Sequence, residues 1–190
     1  MTKILAFSGS LRKSSYNQSI VAATADGATQ AGAEVTVVHL KDFLAPLFNE
    51  DLEVEQGMPA TAQAFKDLLL AHDGFLIASP EYNSSYSAAL KNAIDWASRG
   101  AEGEAPLAAF RGKTALLMGA SPGALGGLRG LVNLRMLLGN LGVHVHPTQH
   151  AFSKVHTLID ETGVVTDEKT LAKCHDLGAQ LVQFTSVLKG

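Results

Sequence analysis

A chain of 190 residues with 46% AVILMFWYC, 17% charged residues and a formal net charge of −3 is long enough to bury a substantial core and too apolar to stay disordered. That charge excludes a broad basic footprint for nucleic acid and is too small for a surface that steers partners by strong negative potential. The lone cysteine, Cys174, can close no internal disulfide, no apolar stretch approaches the ~20 residues of a membrane span, and no signal-peptide pattern opens the chain, so a soluble cytoplasmic protein is expected.

The first predicted strand covers residues 3–8 and is followed by Ile20, Val21, Thr24, Ala25 and Ala28 at helical spacing. A second strand is predicted over 34–40. Residues 40–59, broken by Pro46 and Pro59, then read as an irregular surface excursion. A third strand over 74–79 precedes a helix that carries Leu90, Ala93, Ile94 and Ala97, with Ser87 as its N-cap. The fourth and fifth strands are predicted over 113–120 and 143–146, and Asp167 caps a last helix bearing Leu171, Cys174, Leu177, Leu181 and Leu188. Strands alternating with helices imply βαβ units, hence a doubly wound parallel sheet covered on both faces. No repeat or linker divides it, and residues 1–190 read as a single domain.

Ligands of open α/β sheets bind beyond the carboxyl ends of the strands, and three such ends here carry unusual chemistry. "GSLRKSSYN" (9–17) offers the hydroxyls of Ser10, Ser14 and Ser15, the Asn17 amide and the Arg12 guanidinium at the mouth of a helix, a donor set that suits a phosphate. It is neither a Walker A loop nor a dinucleotide fingerprint. "SPEYNSSYSAALKNAIDWA" (79–97) places Pro80, Glu81, Tyr82, Asn83 and Ser84 on a loop whose aromatic and amide groups suit a flat, polar-edged heterocycle. "GASPGALGGLRG" (119–130) holds five glycines, which allow close backbone approach to a ligand and positive φ.

Together these loops resemble the NADPH-dependent FMN reductase family of flavodoxin-like proteins, which includes chromate, quinone and azo-dye reductases. The resemblance spans roughly residues 3 to 150 and rests on "GSLRKSSYN" and "PEYNSSYSAALKNAIDW" in that order. It implies a five-stranded sheet of order 2-1-3-4-5 and an FMN cofactor. The flavin phosphate would be held by Ser10, Arg12, Ser15 and Asn17. Pro80, Glu81, Tyr82, Asn83 and Ser84 would flank the isoalloxazine, mostly through backbone groups, and Ser121 and Gly123 would approach from the fourth strand. The family commonly has Pro-Gly where this chain reads Ser87-Ala88. NADPH or NADH would give hydride to flavin N5, and a quinone, azo compound, metal oxyanion or free flavin would take the electrons in a ping-pong cycle. The flavin carries the chemistry, and no side chain stands out as an acid–base catalyst.

The rival reading is a flavodoxin-type electron carrier without pyridine-nucleotide activity. Such carriers usually have a strongly acidic surface and a phosphate loop without arginine, so the charge of −3 and Arg12 weigh against it. A flavin-sensing or structural protein would differ from both readings in failing to oxidise NADPH. His144, His146, His150 and His156 crowd one region, but the first two alternate along a strand and the others follow Pro147 in a loop, so no metal site is assigned. His39 and His72 end a strand and a helix and read as structural. Finally, residues 127–141 are apolar around most of a helix, through Leu128, Leu131, Val132, Leu134, Met136, Leu137, Leu138 and Leu141. The surplus is covered either by the 40–59 excursion or by another subunit. The resemblance favours a homodimer or homotetramer, with this helix and residues 90–96 at the contact.

Overall fold

Successive side chains of a strand leave opposite faces of a sheet, so a strand that is apolar throughout must be covered twice. The computed structural model, which describes residues 1–189, builds one parallel sheet from Lys3–Ser8 (β1), Glu34–His39 (β2), Gly74–Ala78 (β3), Thr114–Ala120 (β4) and His144–Phe152 (β5), in the order β2-β1-β3-β4-β5. The continuously apolar runs are the three inner strands, as expected. Ile4, Ala6, Leu76, Ala78, Leu116 and Met118 face one layer, formed by Tyr16–Gln30 (α1) and Glu168–Lys189 (α6). Leu5, Phe7, Phe75, Ile77, Ala115 and Leu117 face the other, formed by Ala60–Ala71 (α3), Ala88–Ala97 (α4) and Leu128–Asn140 (α5). This is the flavodoxin-like doubly wound arrangement that the resemblance implies.

Two expectations need correction. The 40–59 excursion is largely ordered: a 3₁₀ turn at Leu40–Phe43 leads through an extended stretch to a short helix, Glu50–Gln56 (α2), capped by the Asn49 side chain. The fifth strand does not stop at His146. It continues to Phe152, because Pro147 sits in an irregularity of the edge strand, where the ladder needs no N–H from it. There the register jumps from Ala115 opposite Val145 to Leu117 opposite Gln149. The Arg135 guanidinium donates to the carbonyl of His146 at 2.8 Å and, from Nε, to Gln149 Oε1 at 3.0 Å. His150 therefore lies on β5 rather than in a loop, edge to face with Phe152, and burial pushes its pKa down. His156 lies in a 3₁₀ turn, Val155–Thr157.

The predicted caps are present. Ser87 Oγ accepts from Leu90 N at 3.1 Å, and Asp167 Oδ2 accepts from Thr170 N at 2.8 Å. His72, buried at the end of α3, bonds Leu68 O through Nδ1 and Thr36 Oγ1 through Nε2. Cys174 is buried between α1 and α6, and desolvation pushes its thiol up to about 11.

α1 and α6 approach each other closely, and glycine makes this possible. A methyl group on Gly27 would lie 2.5 Å from the His175 carbonyl oxygen, and one on Gly178 2.5 Å from Ala28 N. Both obstacles are backbone atoms that no rotamer change can move. Gly27→Ala should therefore cost about 3 kcal/mol of overpacking against a gain of about 1 kcal/mol in helix propensity. A net loss of about 2 kcal/mol is expected in urea unfolding. Gly139→Ala on α5, with nothing within 4 Å of the added methyl, should instead be neutral or stabilising.

Candidate active site

β1, β3 and β4 end side by side, which gathers the three loops at one edge of the sheet. Ser8 pairs with Ala78 and Ala78 with Met118; Gly9 N then donates to Ala78 O at 2.9 Å, and Ser79 N to Met118 O at 2.8 Å.

The opening loop is folded by its own hydroxyls. Ser10 N donates to Ser8 Oγ at 3.1 Å and Arg12 N to Ser10 Oγ at 3.3 Å; the Ser15 side chain caps α1 by accepting from Gln18 N at 3.3 Å. Among the described residues, none accepts a hydrogen bond from the N–H groups of Ser14, Tyr16 or Asn17, so three donors are left at the positive end of a fifteen-residue helix. Arg12 is exposed, its guanidinium 5.7 Å from the centre of the Tyr16 ring. Free N–H groups, small hydroxyls and a permanent cation at one helix N-terminus fit a terminal phosphate dianion.

Asn17 has a different task. Its buried amide donates through Nδ2 to Ala120 O and accepts through Oδ1 from Ala120 N, both at 2.9 Å. The side chain is consumed in tying α1 to the end of β4, and only the Asn17 backbone N–H is left for a ligand.

The second loop is a tight hairpin. Tyr82 and Ser85 exchange backbone hydrogen bonds of 2.9 and 3.1 Å around Asn83 and Ser84, which have φ of 52° and 65°. Two consecutive left-handed residues make a type I′ turn, a conformation that Asn accepts readily and Ser less so. Asn133 Nδ2 clamps the turn by donating to Ser84 O at 2.8 Å. The Glu81 side chain is engaged within the protein and leaves its backbone for a ligand. Its carboxylate accepts from the Arg129 and Gly130 N–H groups at 3.0 and 3.2 Å and pairs with the Arg129 guanidinium, so it caps α5 from a neighbouring loop.

The glycines of the third loop mostly serve the protein's own packing. Gly126 (φ 61°) lies against the Ala151–Ser153 backbone, Gly127 (φ 94°) against Gly119, and Gly130 against the Ser85 carbonyl. Gly123 is the one with open space, bounded by Ser121 Oγ at 3.5 Å. Ser121 N donates to Phe152 O at 3.1 Å, anchoring this loop to β5.

Between the first two loops lies a cleft of about 410 Å³ lined by Gly9, Leu11, Arg12, Tyr82, Ser87, Ala88 and Ala89. It brings Arg12 and Tyr82 together, but not Ser15, which lines a separate hollow with Lys13, His39 and the hairpin at 160–163. Leu11, Ala88 and Ala89 join the cleft without having been singled out in the sequence, where small and aliphatic residues carry no chemical signal. Gly9 belongs there for a steric reason: a methyl group on it would sit 3.0 Å from Leu90 Cδ2 and 3.4 Å from Ser87 Oγ. Ser87 itself donates to Gly9 O at 2.5 Å, closing α4 onto the opening loop.

A flavodoxin-like sheet with a helix terminus suited to a phosphate and an aromatic-edged cleft beside it defines an α/β protein of the flavin-binding kind. Comparison with known proteins narrows the class. The model of the NADPH-dependent FMN reductase family matches residues 2–157. An NAD(P)H-dependent FMN reductase of Pseudomonas aeruginosa is 38% identical over 168 residues, covering 88% of this chain and 86% of that protein. A quinone reductase of Escherichia coli is 37% identical over 172 residues, covering 89% and 87%. Among solved structures, the flavoenzyme NAD(P)H:(acceptor) oxidoreductase FerB of Paracoccus denitrificans superposes with a TM-score of 0.79 at 28% identity, covering 98% of each chain. The chain belongs to the NADPH-dependent FMN reductase family. It is accordingly an FMN-dependent oxidoreductase that draws its electrons from NAD(P)H.

Arg12 and Asn17 should separate cleanly on substitution. If Arg12 meets the phosphate, Arg12→Ala removes a charge-assisted contact worth about 1.5–3 kcal/mol and should weaken FMN binding roughly tenfold to a hundredfold, with the melting temperature of the flavin-free protein unchanged. Asn17→Ala strands the buried Ala120 N–H and C=O and should lower stability by about 2–4 kcal/mol, seen in denaturant unfolding of that same flavin-free protein.

Proposed function

We propose that this protein reduces quinones and related small electron acceptors, and that NAD(P)H and the acceptor take turns on the exposed side of an FMN seated in the cleft between Arg12 and Tyr82. The observation that carries the reading is the lining of that cleft: one cation at the phosphate end, then Leu11, Tyr82 and two alanines. Such walls suit flat, largely apolar rings and contain no carboxylate or histidine. The curated relatives are named as FMN and quinone reductases, which supports the same acceptor class.

Bound FMN supplies the hydride relay between donor and acceptor. The protein's part is positional. The free N–H groups of α1, Arg12 and the Ser10 and Ser15 region hold the phosphate. The backbone of residues 80–84, stiffened by the type I′ turn, flanks the ring, and Ser121 and Gly123 approach it from β4. Asn17 and Glu81 act one step back, as positioning residues that hold the loops. A single opening serves both substrates, so donor product leaves before the acceptor enters. A flavodoxin-type carrier remains the rival. It is disfavoured by the modest charge of −3 and by Arg12.

The lone thiol fits work in a reducing cytoplasm, and among the described residues no helix is long and apolar enough to cross a membrane. Assembly follows from α5. Leu128, Val132 and Met136 recur every fourth residue and are 44%, 59% and 62% exposed, with Leu125 beside them. The excursion after β2 lies over α4 instead, where Leu90, Ile94 and Trp96 are buried within the chain. The surface left for a second copy is therefore α5, and we assign a homodimer or homotetramer to this face rather than to α4.

Initial rates with NAD(P)H and a quinone should give parallel double-reciprocal lines; intersecting lines would show both substrates bound at once. In light scattering, the wild type should exceed the 20.0 kDa of one chain, and Met136→Glu should reduce the mass to that of a monomer. A wild-type monomer with full activity would refute the α5 assignment.

A further inference from the structure

The segment after β2 forms a strap over α4, fastened by three side chains spaced one turn apart. Asn92 Oδ1 accepts from Phe48 N at 2.8 Å, and its Nδ2 donates to Ala45 O and Pro46 O at 3.1 and 3.0 Å. Trp96 Nε1 donates to Pro46 O at 2.8 Å, and its ring meets the Phe48 ring edge-on at 5.0 Å. Arg99 pairs with Glu53 of α2 at 2.9 Å and lies over the other side of Phe48, 5.2 Å from the ring centre. Lys66, buried on α3, fixes the continuation of the chain by donating to Arg99 O at 2.7 Å and pairing with Glu104, whose carboxyl it holds below its ordinary pKa.

Beneath the strap lies a cavity of about 160 Å³ whose walls include Leu40, Phe43, Leu44, Phe65, Ala93 and Trp96. Its polar lining group, the Asn92 side chain, is used on both sides by the strap. A space with so few polar partners is a poor host for water and a good one for hydrocarbon; an apolar cavity of roughly 150 Å³ is large enough for a benzene ring. Ala88 and Ala89 line this cavity and also the 410 Å³ cleft, so the two spaces adjoin at the first turn of α4.

We propose that the cavity under the strap is a specificity pocket that receives the alkyl, prenyl or aryl substituent of a quinone whose ring lies at the mouth of the cleft, beside the bound FMN. This rests on the quinone reading above and extends it: the chain should prefer quinones with one compact apolar substituent over unsubstituted ones. Ala93 lines the pocket from the α4 side, and Leu44 lines it from the strap.

Trp96 is the chain's only tryptophan and lines the pocket, so it reports occupancy without turnover. The FMN-loaded protein, without NAD(P)H, is titrated with 1,4-naphthoquinone and with its 2-prenyl derivative while the tryptophan lifetime and intensity are followed. The prenylated quinone should quench saturably at a concentration about tenfold lower than the unsubstituted one. Ala93→Leu, which fills the pocket, should raise the KM for the prenylated quinone about tenfold or more and leave that for 1,4-naphthoquinone and the affinity for FMN unchanged. Equal saturable quenching by the two quinones in the wild type, or reduction of both with KM values unmoved by Ala93→Leu, overturns the pocket alone. Failure to reduce either quinone while ferricyanide is reduced overturns the quinone reading and the pocket with it. Should Ala93→Leu not fold, the wild-type quenching decides by itself.

Discussion

The two 2.9 Å hydrogen bonds between the Asn17 amide and the backbone of Ala120 hold together elements that the chain order keeps 103 residues apart. They fasten the first turn of α1 to the end of β4 inside the protein, where neither partner could find water instead. α1 begins at this tie, which holds its N-terminus beside the end of β4. The opening loop, the Tyr82 hairpin and the loop after β4 can then face one ligand.

The same economy of backbone partners runs through the rest of the site. Glu81 caps α5 across a gap of 48 residues in sequence, so the loop that flanks the cleft also steadies the helix with the exposed apolar stripe. Asn133, one turn into that helix, returns the contact by holding the Ser84 carbonyl. Cleft and helix are thereby mechanically coupled: a second chain packed on Leu128, Val132 and Met136 would bear on the element that stiffens the Tyr82 turn. On the far side, Ser87 joins the start of α4 to Gly9, and α4 carries the strap through Asn92, Trp96 and Arg99. One short helix therefore borders both the cleft and the apolar cavity.

The family resemblance and the geometry agree on the fold and on the class of reaction, but the geometry redistributes the work among the residues. Of the residues that the resemblance assigns to the flavin, Arg12 and Tyr82 line the cleft, while Asn17 and Glu81 spend their side-chain polar atoms on the protein itself. The glycine-rich third loop is dense with glycine chiefly because it folds tightly against β4 and β5.

The amino-acid sequence by itself determined the strands, their apolar inner runs, the caps at Ser87 and Asp167, and the three chemically unusual loops, because these depend on periodicity and on neighbours a few residues away. Two features misled it locally. Pro147 looked like the end of a strand, and only the edge position of β5, with Arg135 reaching the freed carbonyls, lets the strand continue. Pro46 and Pro59 made the excursion look unstructured, although Asn92 and Trp96 of a later helix hold its backbone in place. The tertiary structure alone decided which polar side chains serve the ligand and which serve the fold, since an amide or carboxylate looks the same in sequence until its partner is known. It also decided that α5, and not α4, keeps an exposed apolar face, because the strap that covers α4 comes from a segment more than thirty residues earlier.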